Sequence, residues 1–184
     1  MRGALLLAGA LVLVTGCAAE VAPQPIQTLP APSPSPAPEV DTVLAPQRTP
    51  EMERDDGVGA AAAAQYFLHL FTYVLATGDL TEWDEVTWEE CQSCAAIRDD
   101  VLRVYGGGGH FAPGVISIES AVAGPRHELL GGFLVEVAFS LVAGAEYDAA
   151  GQEVATATEQ ESTVGVDVIW QGQWILVGLS DGEQ

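Results

Sequence analysis

The sequence predicts an α+β domain, with helices packed on one face of an antiparallel sheet. Three observations lead there. Apolar residues recur at helical spacing before Tyr105, and at strand spacing after Val115. Turn residues cut the second half at Gly124-Pro125, at Asp148-Ala149-Ala150-Gly151 and at Gln171-Gly172. Helices first and long hairpins afterwards is the order of an α+β chain rather than of alternating parallel units.

Ahead of that domain come two segments of different character. Arg2 precedes an apolar run from Ala4 to Val14, and small residues lead to Cys17 in Val14-Thr15-Gly16-Cys17. The run is too short to span a bilayer, which takes roughly 20 apolar residues, and has the layout of an export signal. It resembles a bacterial lipobox, which implies cleavage of residues 1–16 and a diacylglyceryl group, with further N-acylation such as palmitate, on Cys17. Two or three acyl chains would hold the chain at the membrane, because each buried methylene contributes about 0.8 kcal/mol. Nine of the eleven prolines then lie between Pro23 and Pro50. Such a stretch lacks donors and bulky apolar groups, so residues 17–54 read as a lipidated cysteine and a disordered, polyproline-like stalk. The domain is expected over residues 55–184.

Its first helix starts at Asp55-Asp56, which can cap and complement a helix N-terminus. It continues through the alanine run Ala60 to Ala64, carries Phe67, Phe71, Val74 and Leu75 on an apolar arc, and stops at Gly78. Two capping-box patterns follow, Thr81 with Asp84 and Thr87 with Glu90, and predict a short helical turn and then a helix from Trp88 to Tyr105. Cys91 and Cys94 fall near the start of that helix, on one face. In an exported chain this spacing predicts a disulfide, worth roughly 2 kcal/mol for so small a loop. The alternative is a redox-active pair acidified by the helix N-terminus. Here, however, the motif follows a helix rather than a buried strand. His69, His110 and His127 do not complete a recognised zinc spacing with the two cysteines, and Ala95 stands where haem attachment needs histidine. No metal and no cofactor is expected.

Gly106 to Gly109 end the helix, without the Lys-Ser/Thr pair of a phosphate loop. Strands are expected at Val115 to Val122, Leu129 to Ala143, Glu153 to Trp170 and Gln173 to Leu179. Phe133, Val135, Val137, Phe139 and Leu141 alternate, as do Val164, Val166, Val168 and Trp170, so one sheet face is apolar. Glu119, Glu136 and Asp167 alternate with apolar neighbours, as solvent-facing carboxylates do.

The order of these elements, with a helix ending Thr77-Gly78-Asp79 and a tight glycine turn before Trp174, resembles the nuclear-transport-factor-2-like cone. That resemblance implies a curved antiparallel sheet of four or more strands and a conical interior that relatives use as an enzyme site, a ligand pocket or packed core. More narrowly, Asp56-Gly57, Tyr66-Phe67, Tyr73, Thr77-Gly78-Asp79, Trp83, Cys91-x-x-Cys94 and Tyr105 behind a lipobox resemble uncharacterised actinobacterial lipoproteins. That family implies no activity. The side chains expected to line a pocket are Tyr66, His69, Tyr73 and Tyr105, and an enzyme of the cone kind would draw on Tyr66, Tyr73, His69, Glu136 or Asp167.

Charge excludes one class of partner. The chain has 26 Asp and Glu against six arginines and no lysine, a net charge of −20, and removal of Arg2 with the leader would leave −21. Nucleic acid is bound by clustered Lys and Arg, which are lacking. The sequence therefore predicts a lipid-anchored protein of the cell membrane's extracytoplasmic face. Its domain is expected to be non-enzymatic, binding an envelope protein or a small apolar ligand, with a homodimer through the sheet face as a further expectation. The alternatives are a cone-fold enzyme or carrier for a small apolar molecule, and a thiol-disulfide protein using Cys91 and Cys94.

Overall fold

The computed structural model describes residues 43–181. The leader, Cys17 and the stalk up to residue 42 lie outside the described residues. Within them the chain is α+β, with three helices and two antiparallel sheets.

The first described stretch, expected to be stalk up to residue 54, packs on the domain ahead of Asp55. Residues 43–49 have no regular structure, Pro50–Glu53 forms a 3-10 turn, and Met52 is buried in the core. Arg48 is tied to Glu82 by a 2.9 Å ion pair. The prolines leave this strap without regular structure, but Met52 gives it an apolar anchor, so the domain begins about a dozen residues before Asp55.

Helix α1, Gly57–Thr77, has the predicted ends. Asp56 Oδ1 accepts the backbone N–H groups of Val58 and Gly59 at 3.0 and 3.1 Å, satisfying donors that the first turn would otherwise leave unpaired. Gly78 closes the helix in the left-handed region, φ 72°, donating its N–H to Val74 O. A Cβ there would also lie 2.9 Å from the Tyr105 ring. Ala60, Ala63, Phe67, Leu70 and Val74 are buried, and the alanines bring the helix backbone close to the sheet. By length and composition α1 could cross a membrane, but half of its most apolar window is buried inside the domain. Its hydropathy is that of a core helix.

Helix α2, Thr81–Val86, drives Trp83 fully into the core, where Nε1 donates to Cys94 O at 3.3 Å. Its N-cap position is Leu80, which makes no side-chain cap, and Asp79 Oδ1 just before it accepts from Thr81 N–H at 3.0 Å, so Thr81 is not the capping residue. The helix expected from Trp88 begins later: Trp88 N–H is taken by Leu176 O at 2.8 Å, Thr87 bridges Leu176, and α3 runs Gln92–Gly106. Its N-cap is Cys91, whose Sγ accepts from Cys94 N at 3.1 Å.

The larger sheet has strand order β2-β3-β6-β7, from Ile116–Ala123, Phe133–Leu141, Gln160–Trp170 and Trp174–Asp181. Pairing Phe133 with Val168, Val135 with Val166 and Val137 with Val164 puts the predicted apolar face inward, against α1. A smaller sheet, not expected from the sequence, has the order β1-β4-β5, from His110–Ala112, Gly144–Tyr147 and Glu153–Ala157. One expected long strand is divided, at 158–159, to give β5 and β6, while β1 and β4 lie outside the expected strands, β4 starting after a division from β3 at 142–143. Gly114 and Gly144 lie in close backbone contact beside the division, where a side chain on either would meet main-chain atoms.

Candidate functional site

The interior between α1 and the large sheet is filled by apolar side chains, including Phe67, Leu70, Trp83, Val135, Val166 and Leu176. Among the described residues no polar or charged residue is buried there. The concave surfaces lie elsewhere.

One stripe of α1, at helical spacing, turns away from the sheet: Ala62, Gln65, Tyr66, His69, Thr72, Tyr73 and Ala76. The strap from Val43 to Glu51 forms one wall beside this floor, and the Pro113–Ile116 connection forms the other. Together they bound an open groove of about 750 Å³, within the 300–1,000 Å³ typical of small-molecule sites. A second hollow of about 320 Å³ adjoins it and shares Thr72, Pro113 and Gly114. Its walls are mostly apolar: Phe71, Leu75, Phe111, Leu141, Ala145 and Ala157.

The sequence-predicted pocket residues divide. Tyr66, His69 and Tyr73 share the larger groove. Tyr105 does not: its ring packs beneath Gly78 and its hydroxyl donates to Leu75 O at 2.8 Å, so it joins α3 to the end of α1. Tyr66 is buried, and its Oη has no hydrogen-bond partner among the described residues. Burial, with Glu82 nearby, holds that hydroxyl well above the ordinary tyrosine range, so it stays neutral. The Arg48 guanidinium lies 5.6 Å from the ring centroid. Tyr73 Oη donates to Asp79 at 3.2 Å. His69 is exposed and its ring has no hydrogen-bond partner among the described residues.

The carboxylates proposed for cone-type chemistry are not brought to these groups. Glu136 and Asp167 lie on the outer face of the large sheet, with Leu134 opposite Asp167. Glu136 is exposed, while Asp167 is half-buried, and that burial raises its carboxyl above the usual range. Glu119 is exposed at the irregularity in β2. His110 stacks on Tyr147, and His127 Nδ1 accepts from Leu129 and Leu130 N–H. Among the described residues no cluster of three or more His, Cys, Asp or Glu could hold a metal ion.

Cys91 and Cys94 form a disulfide with a Cα separation of 5.3 Å, and both are almost fully buried. Between them Ser93 Oγ accepts the N–H of Leu179 at 2.9 Å, so the motif attaches the start of α3 to β7. The walls of the groove escaped sequence reasoning. Met52 and Arg48, a large apolar and a charged side chain among prolines, were the available signs that the strap packs on the domain.

A family model described as "Family of unknown function (DUF6318)" matches residues 29–180. No curated protein matches the chain. Among solved structures, the crystal structure of the intermembrane space region of chloroplast protein ARC6 is similar, with a TM-score of 0.54 and 14% identity over 71% of this chain and 99% of that one. At that identity the likeness concerns the fold alone.

Proposed function

The chain belongs to the DUF6318 family of unknown function, and from its own geometry we propose that its domain is a non-enzymatic binding module, carried on the extracytoplasmic face of the cell membrane by lipid on Cys17 and a Pro-rich stalk. We read the domain as a cone of the nuclear-transport-factor-2 kind in which the interior has become packed core. The observation that carries the binding reading is the place of the polar groups. Gln65, His69 and Tyr73 line an open groove with the core residue Tyr66 in its floor, whereas among the described residues no charged side chain is buried between helix and sheet.

An enzyme of this fold would converge an acid or base on a substrate inside the cone. Here Asp167 and Glu136 lie across the sheet from the groove, which argues against that alternative. The buried state of Cys91 and Cys94 argues against thiol exchange, which requires an attackable sulfur.

Photo-crosslinking in intact cells tests the binding reading. A benzophenone side chain at Gln65 or His69 should yield a discrete adduct, and one at Glu136 on the outer sheet face should not. Equal labelling at all three positions, or at none, would refute a binding role for the groove.

A further inference from the structure

The larger groove and the smaller hollow adjoin along Thr72, Pro113 and Gly114, which line both, and their chemistry differs from one to the other. We infer that together they form a site for a single-chain amphiphile with an uncharged, hydroxyl-bearing head, its tail in the hollow and its head over α1. This deepens the binding reading above and rests on it.

The tail assignment follows from the small hollow. Phe71, Leu75, Phe111 and Leu141 wall it, and the small side chains Ala145 and Ala157 leave it open. The charged side chain on its lining, Glu146, is occupied by Arg103 at 2.9 Å. A polar group placed there would lose water without gaining a partner, whereas each methylene buried there is favourably removed from water. Thr72, Pro113 and Gly114 form the rim that the hollow shares with the larger groove, and the proposed chain crosses that rim. A chain entering the hollow therefore leaves its head over the stripe of α1 that carries Gln65, His69 and Tyr73.

The head assignment follows from charge. Among the described residues the carboxylate of Glu51 lines the larger groove and no arginine does. Each of the five arginines among the described residues is already ion-paired: Arg48 with Glu82, Arg54 with Asp56, Arg98 with Asp84, Arg103 with Asp100 and Glu146, and Arg126 with Asp55. A carboxylate or phosphate head would meet a negative wall with no free counter-charge. Hydroxyls, which donate and accept, suit the Gln65 amide and the unpartnered His69 ring.

The test uses residues 17–184 with Cys17→Ser, so that no lipid of its own competes. Titration calorimetry below micellar concentration compares three probes sharing one tail: 1-monododecanoylglycerol, dodecanoate and dodecylammonium. The glycerol ester should bind saturably at one per chain, with dodecanoate at least tenfold weaker. Thr72→Trp, a half-exposed position at the junction, should weaken the ester at least tenfold. Gln65→Ala with His69→Ala, both exposed, should weaken the ester several-fold and leave dodecanoate unchanged, which keeps the test decisive if the tryptophan variant misfolds. Equal binding of dodecanoate, tighter binding of dodecylammonium at 0.15 M salt, or binding that survives Thr72→Trp in a folded chain would each overturn the assignment. No binding of any probe would overturn it too. A discrete adduct at Gln65 or His69 would then leave the groove as a site for another ligand, such as a peptide, while absence of both signals would remove the binding reading as well.

Discussion

Asp56 serves two structural partners at once. It accepts the first free N–H groups of α1 and receives the Arg54 guanidinium, and these contacts hold its carboxyl at about 2, below the ordinary 3.8. The Arg54 hydrogen bond is the largest cause and the Gly59 N–H is next. A carboxyl depressed on folding contributes stability above its unfolded value and loses that contribution as pH falls through its folded value. Asp56→Ala should therefore lower the thermal midpoint at pH 7, with the gap to the parent closing between about pH 4 and pH 2. A gap constant over that range would refute the assignment. Tyr66 makes the opposite case. Its hydroxyl is buried without a partner, and such a group costs about 1–3 kcal/mol of desolvation that its ring need not incur. Tyr66→Phe should leave stability equal or raise it by about 1 kcal/mol in a denaturant melt. A clear loss would mean that the hydroxyl has a partner in solution.

At the scale of elements, the CxxC motif is a joint rather than a reagent. The disulfide puts Cys91 Sγ at the α3 N-cap, and Ser93 ties the same turn to β7. Cross-linking so small a loop is worth about 2 kcal/mol. Cys91→Ala with Cys94→Ala should cost about that much in a urea melt. Reductant should lower the parent's midpoint similarly and leave the double variant's unchanged; an equal response of both chains would disprove the staple. Helix α1 was legible in the sequence because its punctuation is local: an aspartate before and a glycine after an apolar arc. The start of α3 was not, since Thr87 and Glu90 make a plausible capping box while Leu176, nearly ninety residues on, claims Trp88 N–H instead. The β1-β4-β5 sheet was equally hidden. Its strands are three to five residues long and β5 is exposed throughout, so burial imposes no alternation on them. On the site, the Tyr66, His69 and Tyr73 stripe follows from helical spacing. The strap opposite it is proline-rich, and composition there signals extended chain whether or not it packs.

The whole molecule joins an acidic domain to a candidate lipid anchor, and electrostatics makes the anchor's task sharper. At −20 the chain gains nothing from anionic headgroups, which attract Lys and Arg. On the proposed anchoring, membrane residence would come from acyl chains, and two or three of them suffice where one would exchange readily. With the domain beginning near Val43, about 25 residues follow Cys17, enough at roughly 3.1 Å each for a reach of at most about 80 Å. On the proposed anchoring, a tether no longer than that would keep the domain in the neighbourhood of the membrane, where amphiphiles are concentrated. In cells fed an alkyne-bearing palmitate, the parent chain should be labelled and should sediment with membranes. Cys17→Ser should lose the label. If it also leaves the membrane fraction, ordinary cleavage has replaced lipidation. If it stays after a carbonate wash, the leader persists as an apolar anchor. A Cys17→Ser chain that keeps the label would overturn the lipid assignment altogether, and with it the argument that the domain works at the membrane surface.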